Sequence, residues 1–254
     1  MILLTNDDGL HAPGLAEMAR ALPSRLMRRL VAPLQEQSGM SHALTMNRPL
    51  RVIEFGDDRW AVDGTPVDCV YVALHKLLAE RPSMVISGIN LGANLGDDVF
   101  YSGTVGAARE AALSGLPALA VSLDMTDASE QPHFETASAY AMAVITTMEA
   151  TTLPPGVFLN LNVPNLPLEK VNGMVVCPLG GRHYEPVVEQ RQDPRGKTYY
   201  WIGGEPVGEL MGEGTDGSWI AKGYATLTPL GLEHTAQEHL DTIQQWAIPK
   251  PERS

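Results

Sequence analysis

Cysteine is scarce in this chain: only Cys69 and Cys177 occur among 254 residues. Each stands in an apolar run, so neither a disulfide framework nor a thiolate metal site is indicated, and both are expected in the core. Positive charge is also in short supply. Eighteen Lys and Arg face 30 Asp and Glu, giving a formal net charge of -12 and a pI near 4.9. Long nucleic acids and anionic membrane surfaces need a basic face to meet their phosphates, so neither is expected as a partner. A small phosphate ester stays compatible with this charge if a metal ion or backbone N–H groups offset the local acidity. No stretch of about 18 consecutive apolar residues occurs, and no basic segment followed by a long apolar run opens the chain, which predicts a soluble cytoplasmic protein. Internal repeats and low-complexity tracts are absent as well. What remains, 44% hydrophobic and 19% charged residues, is the composition of a globular protein able to bury a core.

The first half alternates short apolar runs with helix-length amphipathic segments. Strands are expected at 1–5, 30–32, 60–62, 84–87, 118–122 and 157–161, and helices at 13–22, 67–79, 105–114 and 134–150. This rhythm predicts an α/β fold, a mostly parallel sheet with helices on both faces, whose ligands bind beyond the carboxyl ends of the strands. After residue 161 the pattern turns to β-rich segments separated by Gly and Pro. Residues 173–177, 182–201 and 218–228 are expected to form hairpins of a smaller C-terminal subdomain or an oligomerisation arm, and 237–247 a closing helix. The division is placed at residue 165, giving a core over 1–165 and a subdomain over 166–254.

Three segments carry candidate chemistry, each following a predicted strand. Asn6-Asp7-Asp8-Gly9 puts adjacent carboxylates at the edge where an open α/β sheet places its site, and hard oxygen ligands suit Mg²⁺ or Mn²⁺. The same residues also suit an ordinary turn or a helix cap. Gln37-Ser38-Gly39-Met40-Ser41-His42-Ala43-Leu44-Thr45 offers hydroxyls for metal or phosphate, though a Ser-rich loop is commonly just a loop. Ser87-Gly88-Ile89-Asn90 runs through Asn94 to Tyr101-Ser102-Gly103-Thr104 at a helix start. There Asn90 and Asn94 present amide groups, and Ser102, Gly103 and Thr104 can aim N–H and hydroxyl groups at a phosphate, or simply cap the helix. Asp97-Asp98 suits loop bracing as well as ligation and is not assigned. The convergence of carboxylates, hydroxyls, amides and anion-binding backbone at one sheet edge raises the three above their separate weights.

In this order the segments resemble the SurE survival-protein family. Asn6-Asp7-Asp8-Gly9-Leu10-His11-Ala12-Pro13-Gly14 looks like its opening motif, and Gln37-Ser38-Gly39 with Ser41, Gly64-Thr65-Pro66 with Asp68-Cys69-Val70, and Ser87-Gly88-Ile89-Asn90 through Thr104 follow. The match is strong to about Ser122, Asn160-Asn162-Val163-Pro164 resembles a later motif, and beyond Arg182 the likeness is loose. The resemblance implies a Rossmann-like core and one divalent cation per subunit, Mg²⁺ or Mn²⁺, held by Asp7, Asp8, Ser38 and Asn90. It further implies that Asn94, Ser102, Gly103 and Thr104 lie around the substrate phosphate, and that the chain is a nucleotidase acting on nucleoside 5′- and 3′-monophosphates, with short polyphosphate a further substrate. A homodimer or homotetramer joined through C-terminal elements is implied as well.

On this reading a metal-held water attacks phosphorus in line, with Asp7 or Asp8 as the candidate general base. A phosphatase that forms an aspartyl-phosphate fits less well, because the pattern it resembles has one residue between its two aspartates, whereas neighbouring side chains diverge along an extended strand. A receiver-like signalling module would be about half this length and would carry a Lys after a later strand, which 118–122 lacks. A nucleotide-binding sensor without turnover remains as the non-enzyme alternative.

Overall fold

The structure, a computed structural model, describes residues 1–56, 58–125, 130–204 and 206–246. Its strands are β1 (Ile2–Thr5), β2 (Arg28–Pro33), β3 (Val52–Glu54), β4 (Arg59–Val62), β5 (Met84–Leu91), β6 (Ala118–Asp124), β7 (Val157–Pro164), β8 (Met174–Val176), β9 (Gly181–Tyr184), β10 (Val187–Gln192), β11 (Thr198–Gly203), β12 (Pro206–Met211) and β13 (Ala225–Gly231). The helices are α1 (Pro13–Ala21), α2 (Pro66–Val72), α3 (Gly103–Leu113), α4 (Phe134–Ala150), α5 (Asp216–Ile220) and α6 (Leu240–Gln244). Nine strands form one sheet in the order β3-β4-β2-β1-β5-β6-β7-β13-β8. Strands β4, β2, β1, β5, β6 and β7 run parallel.

Alternation along β1 explains the layering. Ile2 and Leu4 pack with Leu15 and Met18 of α1 and Ala141 and Ile145 of α4 on one face, while Leu3 packs with Val70 of α2 and Val105 and Ala108 of α3 on the other. A strand buried on both faces carries apolar residues on both, so β1 opens with the unbroken run Ile2-Leu3-Leu4. Both cysteines are free and buried, as expected of core residues. Among the described residues no helix is long and apolar enough to cross a membrane.

Two features of this sheet position the site. Chain order runs outward to β2 and β4 on one side of β1 and to β5, β6 and β7 on the other, so the topological switch lies between β1 and β5, where such folds open a crevice. At that point β5 carries a bulge: Ser87 pairs with Ala120 but Asn90 with Ser122, and the Gly88–Ile89 peptide is cis. Gly88 has φ +133, and a Cβ there would lie 2.3 Å from the Val121 carbonyl oxygen, so no side chain fits. A bulge of this kind re-aims the following residue, here Asn90.

The C-terminal third departs from expectation. Strand β13 pairs antiparallel with β7, and β8 pairs with β13, so the main sheet crosses the division expected at residue 165. Among the described residues, the strands outside it form the two-stranded pairs β9–β12 and β10–β11. The hairpin expected over 218–228 is instead α5 followed by β13. The cause is Asp216, buried at the helix start, where its carboxylate accepts the N–H groups of Gly96, Gly180 and Gly217 at 2.9, 2.7 and 2.8 Å. Those partners are up to 120 residues away and leave no local trace. Of the closing helix expected over 237–247, a 3₁₀ turn at Gln237–His239 and α6 are present, while residue 247 lies outside the described residues.

Candidate active site

After β1 the chain turns on Asn6, whose side chain donates to Gly9 O at 3.0 Å and accepts from Gly9 N–H at 3.2 Å. This closed turn, with Gly9 at φ +103, places Asp7 and Asp8 at the switch point. Asp7 is buried and faces the first turn of α3. Its carboxylate accepts the Thr104 N–H at 3.0 Å and the Thr104 hydroxyl. A Cβ on Gly103 would come within 3.0 Å of the Asp7 side chain, so glycine is what lets the helix N-terminus approach the acid so closely. Ser102 caps the same helix, its hydroxyl accepting the Val105 N–H at 3.1 Å.

Burial pushes the Asp7 carboxyl above its ordinary range, and the Thr104 hydrogen bonds pull it back. Burial, and then the charge of Asp7, push Asp8 up to about 7, opposed by the Leu91 N–H. Burial makes the negative charge of these two neighbouring acids costly, a cost that a nearby cation offsets.

The Ser38 loop is fastened over this edge. Gln37 N–H donates to Asp7 O and Ser41 N–H to Tyr101 O, both at 2.8 Å, while the backbone and hydroxyl of Thr45 donate to Asp68 at 2.8 and 2.6 Å. A Cβ on Gly106 would lie 2.3 Å from Ser41 O, so α3 and the loop pack backbone to backbone. Ser38 donates to Glu36 at 2.9 Å, and His42 pairs with Glu110 of α3 at 3.0 Å. Asn90 donates its amide nitrogen to Gly92 O at 2.8 Å, so what it can offer a ligand is its carbonyl oxygen.

Five of the expected residues, Asp7, Ser38, Asn90, Asn94 and Ser102, line one cavity of about 200 Å³ at this edge. Asp8 adjoins it through Asp7, and Gly103 and Thr104 lie behind Asp7, with both Thr104 donors turned to the carboxylate. Among the described residues no group of three or more His, Cys, Asp or Glu forms a metal cluster; the polar lining of the cavity is mixed, the carboxylates of Asp7 and Asp98 with the hydroxyls of Ser38 and Ser102 and the amides of Asn90 and Asn94.

A family model described as "Survival protein SurE" matches residues 2–186. The chain belongs to the SurE family. A relative from Geobacter metallireducens named 5′-nucleotidase SurE is 46% identical over 245 residues, 96% of each chain. One of the same name from Geobacter sulfurreducens is 47% identical over 248 residues, 97% of this chain and 94% of its own. The crystal structure of the SurE protein from Aquifex aeolicus matches with a TM-score of 0.84 at 37% identity, covering 96% of this chain and 98% of that one.

Several residues around this SurE site had no assigned role in the sequence. Asn162 on β7 clamps the Asn94 peptide in both directions, accepting its N–H at 2.8 Å and donating to its C=O at 3.1 Å, with Asn160 donating to the same oxygen at 2.9 Å. Asp98, set aside from the sequence, accepts the Arg182 guanidinium at 2.6 Å and the Tyr184 hydroxyl at 2.7 Å. Only the Asn160-Asn162 motif gave a local sign of any of this. Replacing Asn162 with Leu strands the Asn94 N–H in a buried site, which costs about 1–3 kcal/mol. The expected outcome is a lowered melting temperature together with a kcat reduced by about tenfold. An unchanged melt with unchanged kcat would show that the clamp does not hold the Asn94 loop.

Proposed function

We propose that this chain is a metal-dependent phosphomonoesterase that hydrolyses nucleoside 5′-monophosphates to nucleoside and phosphate, with 3′-monophosphates and short polyphosphate as further substrates of the same site. The observation that carries this reading is the cavity at the β1/β5 switch, where Asp7, with Asp8 next to it in the chain, meets hydroxyls, amide groups and a helix N-terminus. Relatives of the same length named 5′-nucleotidase SurE support it. The donor set fits a hard divalent cation: Asp7, Asp8, Ser38 and Asn90 supply oxygen only, which suits one Mg²⁺ or Mn²⁺. When bound, such an ion supplies Lewis-acid polarisation of a phosphate oxygen and a water of lowered pKa.

The protein's own groups do the rest. Thr104 holds Asp7 in one orientation with two hydrogen bonds, and a carboxylate of the Asp7–Asp8 pair accepts the proton of the attacking water. Ser102 and Gly103, at the N-terminus of α3, lie where backbone dipoles favour the charge that builds on the transferring phosphoryl group. Asn94, fixed by Asn162, completes the wall on the β6 side. Water oxygen bonds to phosphorus as the bond to the sugar oxygen breaks, and the proton taken up by the carboxylate passes to the leaving oxygen.

We also infer a homodimer or homotetramer that covers the β10–β11 hairpin, where Tyr200, Trp201 and Ile202 are exposed, Ile202 at 90%. The deciding assay is phosphate release from a panel of nucleoside monophosphates with Mg²⁺, Mn²⁺ or EDTA. Release is expected with metal, to stop in EDTA and to return when metal is restored. No release with either metal would overturn the reading in favour of a nucleotide-binding module.

A further inference from the structure

The cavity at the β1/β5 switch, at about 200 Å³, is smaller than the roughly 300–1,000 Å³ that enclose ligands of nucleotide size. It can take the phosphate and part of the sugar, so the base must lie at the rim. Two aromatic rings stand there. Tyr101 is 69% exposed and Tyr184 44%, and both line the cavity mouth.

Of the two, Tyr184 is the one held rigidly. Its hydroxyl donates to Asp98 at 2.7 Å, and the Arg182 guanidinium sits 5.5 Å from its ring centre while also pairing with Asp98 at 2.6 Å. The carboxylate thus fixes the phenol at one end and the guanidinium supports the ring from one side, leaving the ring exposed to the cavity. An exposed aromatic face whose own polar end is already satisfied has little to offer a ligand except stacking.

Resting on the nucleotidase reading above, we propose that Tyr184 is a specificity-determining residue: its ring, aimed by the Asp98–Arg182 pair, stacks on the nucleobase of the substrate. Stacking uses a π-face that every base possesses, so this contact favours nucleotides over baseless phosphate esters without selecting among bases.

Base stacking on one aromatic ring is worth about 1–3 kcal/mol, which corresponds to about 5- to 150-fold in affinity. The test compares AMP with ribose 5-phosphate, which lacks the base, in wild type, Tyr184→Phe and Tyr184→Ala. Two quantities are read: the ratio of kcat/KM for the two substrates, and the ratio of their dissociation constants by calorimetry, which needs no turnover. Wild type is expected to prefer AMP, Tyr184→Ala to reduce that preference by about tenfold, and Tyr184→Phe, which keeps the ring, to retain most of it. An unchanged preference in Tyr184→Ala, or no preference in wild type, overturns the assignment even while phosphate is released normally. Failure of the nucleotidase reading looks different: no phosphate release from any protein, with the calorimetric preference still falling in Tyr184→Ala and supporting the stacking role.

Discussion

Asp8→Asn is expected to lower kcat/KM for AMP by about 10³-fold while leaving the fold intact. The substitution keeps the shape of the side chain and removes one of two negative charges from the ligand set proposed for the cation, and losses of two to three decades are typical when a single group that stabilises transition-state charge is removed. Raising Mg²⁺ or Mn²⁺ should recover part of the loss if weakened metal affinity is its cause. Stability should move the other way. Asp8 is partly buried beside the charge of Asp7, and both effects disfavour its ionised form, so a neutral amide relieves a repulsion that the metal-free protein carries. The melting temperature of metal-free Asp8→Asn should therefore equal or exceed that of wild type. Activity within tenfold of wild type at low metal concentration would remove Asp8 from the ligand set.

Gly14→Ala should destabilise the protein, against the usual sign of this substitution. In an exposed helix, alanine is favoured over glycine by about 1 kcal/mol. Gly14 lies near the start of α1, and a Cβ there would fall 2.0 Å from the Ile89 carbonyl oxygen and 3.1 Å from the Phe134 ring. The ring can give way but the backbone cannot, so α1 must shift off β5. Overpacking of this kind costs about 1–3 kcal/mol, and its upper range outweighs the propensity gain. A net loss near 2 kcal/mol lowers the melting temperature by about 4–8 °C for a domain of this size. Activity should fall as well, because Ile89 precedes Asn90 in the bulge that aims it. Gly231→Ala is the control: nothing lies within 4 Å of its Cβ and its φ is ordinary, so no loss is expected. A rise in melting temperature for Gly14→Ala would contradict the close approach of α1 to β5.

Much of this architecture was legible because its signals are local. Short apolar runs mark the parallel strands, and the expected helix over 134–150 matches α4 end to end. Of the helix expected over 67–79, only Pro66–Val72 is α-helical, with a π turn at Ala73–Leu77, since apolar periodicity alone does not separate the two ladders. In the C-terminal region the hairpin expected over 182–201 is present as β10–β11, whereas the segment expected as a hairpin over 218–228 joins the main sheet. Alternation marks β13 as a strand, but nothing in residues 225–231 says that its partner is β7 rather than a neighbour in sequence.

The same line divides the site. Adjacent acids after the first strand, a Ser-Gly loop after the second and a Gly-rich segment after a later one are properties of the sequence by itself, as are the acidity and the shortage of cysteine that narrow the chemistry around them. The tertiary structure alone decided that Thr104 serves Asp7, that Asn162 grips the Asn94 peptide, and that Asp98 and Arg182 aim Tyr184 at the cavity. Hydrogen bonds reach about 3 Å whatever the separation along the chain, and these span 97, 68, 84 and 86 residues. Local pattern specifies which groups are present at a strand end, whereas only the packed sheet determines which of them face one another.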